Sequence, residues 1–352
     1  MPAPRTCLRA VLACATAVAA GLTVTAGGAA AAVPNHGAAA AVPNHAAAAA
    51  VPGYGATAAP GATAAENPAA PSAPVGGSAG CGTAAPQQPG TTVVRTVTSG
   101  GLQRAARVHV PANYDPARPT PVVLAFHGRG AGAEKTENFT GLSSQPAVVA
   151  YPEGVRGADD RQAWQGAPYS APGVDDVAFT RTLLDDLESD LCLDRQRVFA
   201  TGISNGGGFT EILGCRMADR IASVAAVAGA YYRKGEPACA PGRAVPALFV
   251  HGTADSTIPY GGNASRGLPP IPDKVAEWVR RDGCTPRPAT RRTEPDVTTS
   301  TYTGCTAGAT VEHVAVDGGG HTWPGATSYS GEGRTTQTVR ATDLVARFFG
   351  LR

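Results

Sequence analysis

From about residue 92 onward, short apolar runs alternate with segments of helical periodicity. Two β-rich segments, 92–98 and 103–110, flank a Ser99-Gly100-Gly101 turn and predict an antiparallel hairpin. Later apolar runs are short enough for buried strands and lie at 121–126, 147–151, 197–201, 222–228, 245–250 and 310–316.

Helical patterns lie between these runs. The clearest is 176–191, where Leu183, Leu184 and Leu187 share one apolar face. Segments 274–282 and 336–349 are further helix candidates. A hairpin followed by strands that alternate with helices predicts an α/β fold, with a mostly parallel sheet and helices on both of its faces.

The first 80 residues differ in composition from the rest. The chain has 29 Lys and Arg and 27 Asp and Glu, but only Arg5, Arg9 and Glu66 fall in this part. Residues 1–32 combine two arginines, an apolar stretch and small residues, as a secretory signal peptide does. Residues 33–78, rich in Ala, Pro and Gly with a decaying Ala-Val-Pro-Asn-His repeat, predict a disordered linker. A folded, extracellular domain is therefore predicted over residues 79–352.

Net charge and cysteine usage narrow the function classes. A net charge of +2 without runs of like charge argues against nucleic-acid binding. An even number of cysteines after the predicted signal, with no Cys-x-x-Cys pair, favours three disulfides over zinc or thiol redox chemistry. The sequence leaves their connectivity open. Our preferred pairing is Cys215–Cys239 and Cys284–Cys305, which leaves Cys81–Cys192.

The chemistry concentrates in Gly202-Ile203-Ser204-Asn205-Gly206, a Gly-x-Ser-x-Gly sequence between a predicted strand and a helix-like stretch. Small residues are needed there because a sharp strand-to-helix turn leaves no room for side chains beside an exposed serine. The alternative is a glycine-rich loop with a buried serine. The strand before the motif and the helix after it favour a nucleophile at Ser204.

A serine nucleophile in this setting is followed along the chain by an acid and then a histidine. Three histidines follow Ser204 and are His251, His313 and His321. The first two fall at the end of one predicted strand and inside another, so we assign them structural roles. His321 follows three glycines beyond strand 310–316 and is the predicted general base. Asp255, just past strand 245–250, is the predicted acid, with Asp317 as the alternative.

The predicted oxyanion hole uses two backbone N–H groups. One belongs to Asn205, the residue after the nucleophile, and the other to Arg129 in the loop after strand 121–126. His127 in that loop has two interpretations. It is either a second catalytic base or a brace for the loop, and a His-Gly turn favours the brace.

Together these segments resemble secreted feruloyl esterases and the related polyhydroxybutyrate depolymerase and acetylxylan esterase group. The resemblance covers about residues 81–352 and rests on segments 164–169, 174–177, 202–208, 251–255 and 320–324. It implies an α/β-hydrolase fold without a cofactor and a triad on Ser204, Asp255 and His321. Asn205 departs from several feruloyl esterases, which have Asp after the nucleophile, and is closer to the depolymerase-like members.

The resemblance also implies that Trp164, Gln165 and Trp323 bind substrate. The two tryptophans would form an aromatic wall for a planar hydroxycinnamoyl ring, or else pack beside the triad.

The sequence therefore predicts a secreted serine carboxylic ester hydrolase. The favoured activity is a feruloyl esterase that releases hydroxycinnamic acids from plant cell-wall arabinoxylan through an acyl-enzyme. Polyhydroxybutyrate depolymerase and acetylxylan esterase are the alternatives, and an exported binding protein with a degenerate hydrolase domain is a remote one. We expect a monomer that acts on an ester substrate without metal, cofactor or nucleic acid, and without a membrane once the signal is removed.

Overall fold

The computed structural model describes residues 76–232 and 239–352. The predicted signal peptide and residues 33–75 of the predicted linker lie outside the described residues. Gly77 forms a β-bridge with Asp194, and the buried Ser78 hydroxyl accepts a hydrogen bond of 2.8 Å from the amide of Leu193. The folded part therefore includes residues 76–78, which the sequence assigns to the linker.

Twelve β-strands and five α-helices form within the described residues. The strands are β1 (Thr92–Ser99), β2 (Leu102–His109), β3 (Thr120–Phe126), β4 (Val148–Pro152), β5 (Val155–Arg156), β6 (Gln162–Ala163), β7 (Leu193–Ile203), β8 (Ser223–Val227), β9 (Ala247–Gly252), β10 (Ala289–Glu294), β11 (Val297–Tyr302) and β12 (Val311–Val316). The helices are α1 (Ala133–Thr140), α2 (Asp176–Asp190), α3 (Asn205–Arg216), α4 (Ile271–Arg281) and α5 (Ala341–Phe348).

Ten of the described strands form one sheet in the order β1-β2-β4-β3-β7-β8-β9-β12-β11-β10. Neighbouring strands from β4 to β12 in this order run parallel. β1 and β2 form the predicted antiparallel hairpin at one edge. β11 and β10 form a second hairpin at the other edge, and sequence analysis missed it because every residue of β10 is exposed and the segment has no apolar run.

Both faces of the sheet are covered by helices. Val122 and Leu124 of β3 pack in one buried cluster with residues of α2, α3 and α4. Val123 and Ala125 point to the opposite face, where they share a cluster with residues of α1 and α5. This alternation follows from the two-residue period of a strand. The predicted α/β architecture, with a mostly parallel sheet and two helical layers, is confirmed.

The start of α2 agrees with the sequence prediction. α2 begins where predicted, because the carboxylate of Asp175 accepts a 2.9 Å hydrogen bond from the amide of Ala178 and caps the first turn.

The six cysteines that follow the predicted signal peptide form the preferred pairs, which are Cys81–Cys192, Cys215–Cys239 and Cys284–Cys305. None of the described helices has the length and apolar character needed to cross a membrane. The carboxyl ends of β3, β7, β9 and β12 lie at the same edge of the sheet, where the predicted site residues follow.

Candidate active site

Ser204 occupies a strained turn between β7 and α3. Its φ of 58° and ψ of −123° lie in a region that residues with a side chain rarely adopt. Its amide donates a 3.0 Å hydrogen bond to the carbonyl of Val227, and its own carbonyl accepts from the amides of Gly208 and Ala230 at 2.9 Å each. These three backbone bonds hold the strained conformation in place.

The glycines around Ser204 are required by close backbone packing. A Cβ atom on Gly202 would lie 2.7 Å from the carbonyl oxygen of Phe126, and one on Gly206 would lie 2.2 Å from the same oxygen. A Cβ atom on Gly208 would lie 2.1 Å from the carbonyl oxygen of Ala230. The motif is therefore small because β3 and the chain after β8 pass directly against the turn, as sequence analysis predicted on steric grounds.

The loop after β3 lies against Ser204. A Cβ atom on Gly128 would be 3.3 Å from the Cβ of Ser204. The amide of Arg129, the next residue, makes no backbone hydrogen bond within the described part of the chain. The amide of Asn205 is in the first turn of α3, where an N–H has no partner within its own helix. Both predicted oxyanion donors are thus next to Ser204 and available to a ligand.

A set of buried hydrogen bonds, which we call the clamp, joins Asn205, Trp164 and His127. The side-chain oxygen of Asn205 accepts from the amide of Trp164 at 2.7 Å, and its side-chain nitrogen donates to the carbonyl of Trp164 at 3.2 Å. The indole Nε1 of Trp164 donates to the carbonyl of His127 at 2.9 Å. The clamp therefore ties the start of α3 to the loop that carries the Arg129 amide.

His127 braces this loop and has no role as a base in the structure. Its Nδ1 donates to the carbonyl of Gly128 at 2.8 Å, and its Nε2 accepts from the amide of Gly154 at 2.9 Å. The side chain is fully buried, and burial lowers the pKa of His127, so the ring stays neutral. Of the two interpretations of His127, the structure supports the brace.

Asp255 and His321, the residues predicted to be the acid and the base, lie side by side. His321 Nδ1 donates to Asp255 Oδ2 at 2.8 Å. The other carboxylate oxygen accepts from the amides of Thr257 and Ile258 at 2.9 and 2.7 Å. Burial alone would raise the pKa of Asp255, but hydrogen bonds from His251 and His321 hold it well below its usual range. Asp255 therefore stays ionised beside the imidazole.

Two further histidines lie behind Asp255, on the interior side. His251 Nε2 lies 2.9 Å from the carbonyl oxygen of Ile258 and 3.2 Å from Asp255 Oδ2. His313 Nε2 lies 3.3 Å from the hydroxyl of Tyr260, and burial lowers the pKa of His313 to about 4. Both residues have the structural positions that their strand locations predict.

Asp317, the alternative acid, lies away from the imidazole. It is exposed, and its carboxylate accepts a 3.3 Å hydrogen bond from the hydroxyl of Thr253. Its backbone amide pairs with the carbonyl of Asp296. The structure therefore gives Asp317 no contact with His321.

Ser204 and His321 line one open cavity of about 860 Å³. Among the described residues the Ser204 hydroxyl makes no hydrogen bond, so its proton is not committed to another acceptor. The cavity wall also includes Arg129, Tyr169, Tyr232, Ile258 and Arg266. Tyr169 and Tyr232 meet edge to face at 5.7 Å, and burial raises the pKa of Tyr169, which keeps its phenol neutral.

Comparison with known proteins places the chain in a family. NocK of Nocardia uniformis subsp. tsuyamanensis, which carries the provisional name of an esterase, is 32% identical over 270 residues, covering 67% of this chain and 75% of NocK. The chain belongs to this family of esterases. Feruloyl esterase D of Neurospora crassa is 29% identical over 264 residues, 69% of this chain and 82% of its own length.

Other comparisons are more partial. Feruloyl esterase B of Piromyces equi is 29% identical over 231 residues, and the match spans 62% of this esterase but only 42% of that protein. An acetyl xylan esterase structure from Aspergillus awamori aligns with 74% of this chain and 100% of its own, at 16% identity and a TM-score of 0.49. No protein-family model matches the chain.

The substrate-binding prediction for three residues of the esterase needs correction. Trp164 and Trp323 are buried, and neither belongs to the cavity wall. Trp164, a member of the clamp, also stacks on the ring of Phe209. The indole Nε1 of Trp323 donates to the Thr342 hydroxyl at 3.1 Å. Both tryptophans are therefore packing residues, which was the stated alternative to an aromatic wall.

Gln165 is also a structural residue. Its side-chain oxygen accepts hydrogen bonds from the amides of Asp176 and Val177 at 2.6 and 3.1 Å, and so it caps the first turn of α2. The backbone amide of Gln165 donates to the carboxylate of Asp176 at 2.8 Å. Gln165 is not among the residues that line the cavity of Ser204.

The aromatic wall of the esterase is instead made by Tyr169 and Tyr232, which sequence analysis did not select. Tyr169 ends the 164–169 segment that carries the family resemblance. Tyr232 follows β8 at the carboxyl edge of the sheet, the edge on which α/β sheets place their sites. Either signal could have identified these residues.

Proposed function

We propose that this esterase is a secreted serine hydrolase that releases hydroxycinnamic acids from feruloylated plant cell-wall arabinoxylan. The observation that carries the proposal is the shared cavity of Ser204 and His321, together with the 2.8 Å hydrogen bond from His321 to Asp255. Nucleophile, base and orienting carboxylate are the three groups that acyl transfer through serine requires.

The reaction proceeds in two halves. His321 Nε2 takes the proton of Ser204 as its Oγ bonds to the ester carbonyl carbon, and Asp255 stabilises the imidazolium through Nδ1. The imidazolium then protonates the departing alcohol oxygen as the ester bond breaks, which leaves the acyl group on Ser204. Water attacks the acyl-enzyme, His321 takes a proton from that water, and the proton returns to Ser204 Oγ as the acid leaves.

The negative charge that develops on the carbonyl oxygen needs fixed donors. In this proposal the amides of Arg129 and Asn205 donate to that oxygen, one from the loop after β3 and one from the first turn of α3. The clamp sets the distance between these two donors. Because both are backbone groups held by buried contacts, they need little reorganisation during the reaction.

The choice of acyl group has two supports. Relatives of the chain are named feruloyl esterases. Tyr169 and Tyr232 give the cavity an aromatic wall that suits a planar hydroxycinnamoyl ring. Secretion is supported by the three disulfides, which are typical of proteins that fold in an oxidising compartment.

A side-by-side hydrolysis assay tests the proposal with methyl ferulate, a short acetyl ester and a soluble 3-hydroxybutyrate oligomer. We expect methyl ferulate to give the highest kcat/KM, and Ser204→Ala to lower kcat by about 10⁴-fold or more. A fluorophosphonate probe should label the native chain and leave Ser204→Ala unlabelled. Retained activity in Ser204→Ala would overturn the triad. Preference for the acetyl ester or the oligomer would keep the triad and replace the substrate.

A further inference from the structure

The cavity beside Ser204 has an excess of positive charge. Among the residues that the structure describes, four cationic side chains line it, together with one carboxylate, that of Glu332. The chain as a whole carries a net charge of only +2, so the excess is local. The cationic residues are Arg129, Lys135, Arg161 and Arg266.

Local acidic residues neutralise only part of this charge. Asp159 forms an ion pair with Arg129 and lies 3.9 Å from the Arg161 guanidinium, so one carboxylate serves both arginines. Glu332 accepts a hydrogen bond from the hydroxyl of Tyr329. Within residues 76–232 and 239–352, four cations thus face two carboxylates around the cavity.

Lys135 and Arg266 are the two cations of the cavity wall that form no ion pair with Asp159. The ammonium of Lys135 lies 4.7 Å from the ring centre of Tyr329, and Arg266 donates one hydrogen bond of 2.6 Å to the carbonyl of Thr257. Within the described residues neither side chain has a carboxylate at ion-pair distance. Arg266 keeps further N–H donors in the planar arrangement that binds a carboxylate through two bonds.

Cations in a concave site attract anions more strongly than the same cations on a flat surface, because the low-dielectric walls focus the field. The uncompensated cations lie in the wall of the cavity that holds the reacting serine. An anionic group fixed to the substrate would therefore be drawn to the site together with its ester.

We propose that the cavity selects esters that also carry a free carboxylate, which Arg266 and Lys135 bind. This inference rests on the proposed function and specifies its substrate class further. A neutral ester such as methyl ferulate is then hydrolysed, but with a lower kcat/KM than a matched ester that carries a carboxylate.

Matched substrate pairs test this inference. On the acyl side, monomethyl terephthalate is compared with methyl 4-carbamoylbenzoate, and on the leaving-group side 3-acetoxybenzoate is compared with 3-acetoxybenzamide. Members of each pair have the same size and differ by one charge. After correction for alkaline hydrolysis rates, we expect kcat/KM to favour the anion about tenfold in at least one pair at low salt, and much less at 0.5 M NaCl.

Substitutions test whether Arg266 and Lys135 cause the preference for the anionic substrate. Arg266→Gln and Lys135→Gln should each lower the anion-to-neutral ratio about threefold, and Arg266→Lys should retain most of it. Arg287→Gln removes an exposed arginine outside the cavity wall and should leave the ratio unchanged. Because the readout is a ratio, a general loss of activity from disturbing Thr257 does not change it.

The two proposals fail in different ways. Ratios near one in both pairs, with neutral esters still hydrolysed, would overturn the anion subsite and leave the serine esterase intact. A preference that survives in Arg266→Gln and Lys135→Gln together would also overturn it. No hydrolysis of either member, with no labelling of Ser204 by a fluorophosphonate, would instead overturn the proposed function.

Discussion

On one side of Ser204, the loop after β3 and the start of α3 are held by close backbone contacts and by the clamp. On the other side, His321 is held by Asp255, and behind Asp255 lie His251 and His313. We call the first the oxyanion side and the second the acid–base side. The oxyanion side is positioned by sterics and by hydrogen bonds among neutral groups, including the neutral ring of His127, whereas the acid–base side depends on the ionised carboxylate of Asp255.

This difference predicts which substitutions and which changes of pH affect each side of the site. A change of side-chain shape or of one neutral donor should damage the oxyanion side at every pH. A change of charge or pH should act through the acid–base side. The comparison would lose its meaning if both sides responded alike to both kinds of change.

Of the changes that test this comparison, a substitution of Asp255 should have the largest effect. Asp255→Asn removes the charge that stabilises the His321 imidazolium, so kcat should fall about 10⁴-fold with the fold retained. The matched control is Asp317→Asn, which changes an exposed carboxylate without contact to His321 and should keep kcat within about twofold. Steady-state kinetics with methyl ferulate and circular dichroism measure both. Equal losses in the two variants would refute the assignment of Asp255.

A smaller effect is expected when the clamp is weakened. Trp164→Phe keeps an aromatic ring but removes the donor to the buried carbonyl of His127, at a cost of about 1–3 kcal/mol. We expect kcat to fall about 10- to 100-fold, with little change in KM and an unchanged pH profile, because no titratable group is altered.

Trp323→Phe is the control for this substitution. It removes the same indole donor from a second buried tryptophan, whose partner is the hydroxyl of Thr342. Its stability should fall by a similar amount while kcat stays near the native value. If both variants lose kcat in parallel with thermal stability, the clamp has a structural role only.

The smallest effect is expected from His313 and concerns stability. Burial lowers the pKa of His313 to about 4, below its unfolded value of 6.5. The unfolded chain therefore binds more protons between these pH values, and the stability from the neutral ring is complete above pH 6.5 and lost as pH falls to about 4. The loss amounts to about 3 kcal/mol at most.

Denaturant unfolding at several pH values measures this dependence. In His313→Asn the slope of unfolding free energy against pH between 6.5 and 4 should be shallower than in the native chain. Thr253→Ala, which changes a hydroxyl paired with the exposed Asp317, should keep the native slope. An unchanged slope in His313→Asn would show that other groups cause the acid sensitivity.

Sequence reasoning succeeded where the physical constraint is local. The nucleophile turn could be predicted because Gly202 and Gly206 lie beside Ser204 in the chain, and their lack of side chains reports a close approach. Asp255 and His321 could be placed because both follow apolar strand runs at one edge of a parallel sheet.

The cavity wall was harder to predict because its members come from distant loops. Whether Trp164 faces the cavity or the core depends on the indole donor's partner, a carbonyl 37 residues away. Tyr232 and Arg266 line the same cavity only once β8 and β9 are placed side by side. Periodicity identifies buried strands, but it does not tell which loop residues converge above them.

The far edge of the sheet has a consequence for association with other chains. All six residues of β10 are exposed, and Arg291, Arg292 and Glu294 are charged. Charged side chains on an edge strand disfavour its pairing with a strand of another chain. The charged edge of β10 thus protects the ten-stranded sheet against edge-to-edge aggregation.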